Sequence, residues 1–154
     1  MVDPRSLAAV HEARVREVLL DVGHGAASFS FEVTRYAREQ GIETDLISTY
    51  LHRNSIKGPA YDLPTTLSKL LNLGMPLDQV IAAGSTRPSS FLDPTKGAVW
   101  LKVGQKAYLT VFQVDQANTS VEDGLGDHLT LTQLIHPLLA VQRVNHSECG
   151  LRFQ

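Results

Sequence analysis

Three things are scarce in this chain of 154 residues: cysteine, net charge and long apolar runs. Cys149 is the only cysteine, which excludes an intramolecular disulfide and fits a reducing, cytoplasmic setting. The 14 Lys and Arg against 16 Asp and Glu leave a formal charge of −2, so there is no basic footprint for nucleic acid. No stretch approaches the roughly 18 consecutive apolar residues of a membrane span, and the N-terminal segment alternates charged with small apolar residues instead of forming a secretory core. Internal repeats and low-complexity segments are missing as well. What is present is an ordinary globular composition, 43% hydrophobic and 19% charged, able to bury a core.

Residues 6–17 place Leu7, Val10, Arg14 and Val15 at helical spacing and predict a short amphipathic helix. The apolar, β-branched run 18–22 reads as a buried strand ending in the turn Gly23-His24-Gly25. Ser28 or Ser30 then caps a helix carrying Phe29, Val33, Tyr36 and Ala37 at i, i+4, i+7 and i+8 and stopped at Gly41. A second strand over 45–51 completes a βαβ unit, which implies a parallel sheet. After a polar loop, Asp62 caps a helix with Leu63, Leu67, Leu70 and Leu71 on one face, closed by Gly74. Pro76 opens another helix, with Leu77, Val80 and Ile81 inward, ending at Gly84. Beyond Pro94 the runs 98–103 and 109–114, separated by Gly104-Gln105-Lys106, read as a hairpin or neighbouring strands. A polar stretch over 115–127 follows, and then 134–144, which Pro137 confines to an edge strand or breaks.

Chemistry is expected at the two strand ends, Asp21-Val22-Gly23-His24-Gly25 and Ile47-Ser48-Thr49-Tyr50-Leu51-His52. Functional side chains of parallel α/β sheets and barrels gather at the C-terminal ends of strands, and flanking glycines let a ligand approach the backbone. On residue pattern alone, His24 is either a ligand or substrate contact or a turn histidine bonded to backbone. His11, His128, His136 and His146 have no ligand spacing, and Cys149 has no histidine at motif spacing.

The runs LLDVGHGAASFSFEVTRYAREQG, DLISTYLHRNSIKGPAYDLPTTLSKLLNLGMPLDQVIAAGSTRP and LKVGQKAYLTVF resemble the last part of the metal-dependent amidohydrolase/deacetylase family, relatives of dihydroorotase in the amidohydrolase superfamily. The likeness runs continuously over about residues 5–114 and more weakly beyond. It implies an α/β fragment of a (β/α)8 TIM barrel, its last two strands and helices, with a barrel tail over 1–96 and strands of a small β-sandwich over 97–154. It also implies a hydrolase of non-peptide C–N bonds in small-molecule amides, working through zinc-bound hydroxide.

A whole barrel takes about 250 residues, so the resemblance places the family's His-x-His, bridging lysine and middle-strand histidines before Met1. In its eighth strand the family carries a metal-binding Asp that serves as general acid and base, and this chain has Tyr50 there. A phenol is neither a base at neutral pH nor a strong zinc ligand. Tyr108 likewise stands where the family has a structural Asp. By the same likeness His24 and Gly25 would contact substrate, and no zinc is expected to be held by this chain alone. The expected product is a truncated, inactive relative. The alternative is a non-enzymatic scaffold, and in either case an exposed barrel edge predicts self-association or aggregation.

Overall fold

A computed structural model describes residues 4–92 and 107–142. The element order is α1 (Pro4–Val15), β1 (Asp21–Gly23), α2 (Phe31–Glu39), β2 (Leu46–Ser48), α3 (Leu63–Asn72), α4 (Leu77–Gly84), α5 (Thr86–Leu92), β3 (Tyr108–Glu122) and β4 (His128–Gln142). β1 and β2 pair in parallel, Val22 facing Ile47, with α2 as the crossover, so the βαβ unit forms as expected. Both strands are shorter than the apolar runs that announce them. Val18 closes the last turn of α1 by donating to Ala13 O, which leaves Val18 and Leu19 on the surface and not in a buried strand.

Local signals account for the helix starts. Ser30 Oγ accepts from Val33 N at 3.3 Å, and Asp62 Oδ1 accepts from Thr65 N at 2.7 Å, each satisfying a donor that has no partner inside the helix. Gly41 and Gly74 follow the ends of α2 and α3 with left-handed φ of 74° and 89°. On α3, Leu67 and Leu70 are buried, but Leu63 opens to solvent at the first turn, and Leu77 does the same at the start of α4. Asp62→Ala should lower stability by about 1 kcal/mol, read as a shift of the urea midpoint with unchanged slope.

The polar stretch 115–127 is strand over most of its length. β3 runs on to Glu122 and returns through a tight turn into β4, an antiparallel hairpin of two 15-residue strands. Polar side chains are tolerated because, among the described residues, the sheet has two strands and much of each is exposed. Pro137 sits inside β4 opposite Phe112, where the register shifts, and its missing N–H is harmless on an edge strand. The run 98–103 lies outside the described residues.

A second register shift, between Gln116 and Thr119, is where the hairpin meets α3. There Asn72 Oδ1 accepts from Thr132 N (2.7 Å) and Gln133 N (3.2 Å), and its Nδ2 donates to Gln133 O at 2.7 Å. Ser68 Oγ accepts from Ile135 N at 2.9 Å. Val121, Leu131 and Ile135 thereby join one core with Phe29, Phe31, Ile47, Leu67, Leu70, Met75 and Val80.

Candidate functional site

His24, directly after β1, is fully buried and stacks on Phe29 at 4.6 Å between ring centroids. Its Nδ1 lies 3.1 Å from Gly25 O, and its Nε2 lies 2.8 Å from the Nζ of Lys69 on α3. Lys69 is also fully buried, and its Nζ donates to Pro59 O at 2.5 Å and to Glu122 O at 2.6 Å. Three partners use all three ammonium protons, so Nε2 of His24 is the acceptor and the imidazole carries its proton on Nδ1, toward Gly25 O. Burial pushes the Lys69 ammonium from 10.5 down to about 8, while the carboxylates of Asp123 and Glu122 oppose the shift. Burial also lowers the His24 pKa, the Lys69 charge adds to that, and the bond to Gly25 works against it.

The hairpin turn closes this cluster from the other side. Asp123, buried at 2% exposure, accepts from Phe31 N at 2.8 Å through Oδ2, and from Leu125 N at 2.8 Å and Asp127 N at 3.0 Å through Oδ1. Burial alone would raise its pKa, and these backbone donors, with Gly126, bring it below the ordinary 3.8. Gly124 N donates to Phe29 O at 2.9 Å, and a Cβ on Gly124 would lie 2.9 Å from Ala27 Cα, closer than any side chain permits.

Tyr50, at the end of β2, is 62% exposed and has a left-handed φ of 40°. Its ring lies over Gly23, where a Cβ would fall 1.9 Å from Cε2, so Gly23 must be glycine for Tyr50 to sit there. Gly25 is buried, and its N–H donates to Thr49 O at 3.0 Å, holding the two strand ends together. The sequence-predicted residues His24, Gly25 and Tyr50 therefore do meet at one pair of strand ends. His52 instead lies exposed in the following turn, where its Nδ1 accepts from Asn54 N at 3.2 Å. Tyr108 is exposed at the start of β3, opposite Gln142. His128 lies 3.3 Å from Ser120 Oγ and His136 3.0 Å from Asp115 Oδ2, both on the hairpin. His146 and Cys149 lie outside the described residues.

Lys69 and Asp123 escaped the sequence reading. Lys69 lies in a helix whose neighbours Thr66, Leu67, Ser68 and Leu70 are all buried, leaving it no solvated face, and no residue pattern announces that burial.

As a zinc site the donors do not fit. Among the described residues no three His, Cys, Asp or Glu side chains converge, and the one buried histidine of the cluster already spends both ring nitrogens. No helix among the described residues is long and apolar enough to cross a membrane.

No family model matches the chain. It is 42% identical over 124 residues to a deacetylase of Brucella anthropi, covering 80% of this chain and 31% of the relative. A deacetylase of Agrobacterium fabrum is 42% identical over 126 residues, covering 80% of this chain and 30% of the relative. A dihydroorotase crystal structure matches with a TM-score of 0.84 and 38% identity, covering 92% of this chain and 38% of that one. An adenine deaminase crystal structure matches with a TM-score of 0.79 and 30% identity, covering 86% of this chain and 36% of that one. The chain thus spans about a third of the length of these relatives. Sequence and fold together relate it to a part of these deacetylases and of the dihydroorotase and adenine deaminase, members of the amidohydrolase superfamily.

Proposed function

We propose that the chain corresponds to the C-terminal segment of a metal-dependent amidohydrolase/deacetylase barrel and does not turn over substrate by itself. In this reading residues 1–96 supply the last two barrel strands and their helices, and 97–154 supply strands of the small β-sandwich. The observation that carries it is the parallel β1–α2–β2 unit, in a chain 42% identical to about a third of a deacetylase. The intact relatives would act on a small-molecule amide through zinc. His24 and Gly25 keep the strand-end position at which such a substrate would be met, and His24 offers Nε2 to it only by giving up Lys69. Tyr50 replaces the carboxylate with a group that can neither bind zinc well nor move the proton.

A second reading, a non-enzymatic self-associating protein without nucleic-acid or membrane partners, is favoured by a cleft of about 270 Å³ between β1 and α2. Leu20, Val22, Phe29, Val33, Ala37 and Met75 line it, and among the described residues β1 pairs on one edge only.

Elemental analysis and light scattering on the purified chain, with deacetylation assays on N-acetylated small molecules with and without added zinc, test both. The expected result is substoichiometric zinc and no metal-stimulated turnover. Zinc near one ion per chain, or turnover abolished by His24→Ala, would overturn the inactive reading. A monodisperse oligomer supports the self-associating protein, and heterogeneous aggregation supports the isolated segment.

A further inference from the structure

The contacts among His24, Lys69 and the hairpin turn lead to something beyond either reading. We propose that His24 and Lys69 form an acid-sensitive latch, in which neutral His24 lets Lys69 hold the β3–β4 turn, and protonation of His24 expels the ammonium and frees that turn.

The geometry leaves little latitude. Lys69 Nζ bonds His24 Nε2 after β1, Pro59 O in the loop before α3, and Glu122 O at the end of β3, so one ammonium joins three segments. A proton added to Nε2 would point at the N–H groups of Nζ across 2.8 Å, turning a donor–acceptor bond into contact between two cations in a site closed to solvent.

The other charged or titratable groups around the pair are the Asp123 and Glu122 carboxylates from the hairpin and the Tyr61 phenol, whose ring centroid is 5.4 Å from Nζ. The Phe31 ring of α2 faces the same ammonium at 5.8 Å. The two carboxylates favour the cations, but Asp123 is already committed to backbone donors and Glu122 Oε1 lies against Gly58, 2.6 Å from where a Cβ there would stand. Neither carboxylate bonds the imidazole, so a second proton has no acceptor waiting for it.

Loss of the Glu122 O bond loosens the turn end only, since Asn72 and Ser68 fasten β4 to α3 further along. Burial and the neighbouring cation both keep His24 neutral, so the transition falls below the histidine's ordinary 6.5.

The test is NMR on the 15N-labelled full chain, following the His24 imidazole and the amide-exchange protection of Phe31, Gly124 and Ile135 from pH 7.5 downward. The expected result is that protection at Phe31 and Gly124, corrected for intrinsic exchange, falls about tenfold in step with His24 protonation. Ile135 should stay protected, and in His24→Gln, whose amide oxygen still accepts from Lys69, the acid loss should vanish. The latch is overturned if Phe31 and Gly124 stay protected after His24 has titrated, if their loss follows protonation of Asp123 instead of His24, or if His24→Gln loses protection as the parent chain does. Should that variant fail to fold, the coincidence or separation of the two midpoints in the parent chain decides alone.

Discussion

Lys69→Ala should lower the unfolding free energy by about 3 kcal/mol or more, making it one of the two most damaging substitutions expected in the described chain. Three buried acceptors, His24 Nε2, Pro59 O and Glu122 O, lose their donor, at about 1 to 3 kcal/mol each. Removing the three packed methylenes beyond Cβ adds about 2 kcal/mol. Against this stands a gain. The ammonium has its pKa lowered from 10.5 to about 8, so holding it charged in the fold costs about 3 kcal/mol at neutral pH. The lost bonds outweigh that relief.

The sign of the linkage gives a second readout. Between about 8 and 10.5 the folded chain binds fewer protons at Lys69 than the unfolded chain, so stability rises with pH across that window. Lys69→Ala should flatten the rise. Urea titrations at pH 7, 8, 9 and 10 measure both effects, and a variant as stable as the parent at pH 7 would show that the three contacts do no more than balance the cost of holding the charge.

Asp123→Ala is the second, expected at about 3 kcal/mol because a buried carboxylate accepting from several backbone N–H groups leaves all of them unpaired when it goes. Its pKa lies below the ordinary 3.8, so its contribution is complete above that pH and is lost as pH falls through the folded value. Parent and Asp123→Ala stabilities should therefore converge in strong acid. Asp123→Asn keeps one acceptor oxygen and should lose about half as much. Equal loss in the two variants would mean that the full carboxylate, with both oxygens accepting, and not steric fit, is what matters.

Much of the α/β part was readable from residue pattern because its signals are local. Ser30, Asp62, Gly41 and Gly74 mark helix ends through groups within four residues of themselves, and a glycine-rich turn after an apolar run marks β1. The hairpin was less readable. Residues 115–122 carry Asp, Gln, Asn, Thr and Ser in a strand that is largely exposed, so the alternation that reveals a half-buried strand is weak. Of the site, His24, Gly25 and Tyr50 could be placed from the strand ends and the family likeness. Lys69 and Asp123 could not, because each derives its role from partners far along the chain: 45 residues between Lys69 and His24, and 92 between Asp123 and Phe31. A charged residue in a helix or a turn normally reads as solvated, and only the tertiary contacts show otherwise.

That last span bears on the order of synthesis. The first helical amide of α2, at Phe31, is capped from Asp123, 92 positions downstream. At about 5 to 20 residues per second, translation leaves this donor without its carboxylate for roughly five to twenty seconds after it is made. During that interval Ser30 supplies the local cap on α2, through Val33 N, while Phe31 N–H depends on water. The helix is completed only when the later-made hairpin folds back onto it, so on the ribosome the two ends of this core mature together.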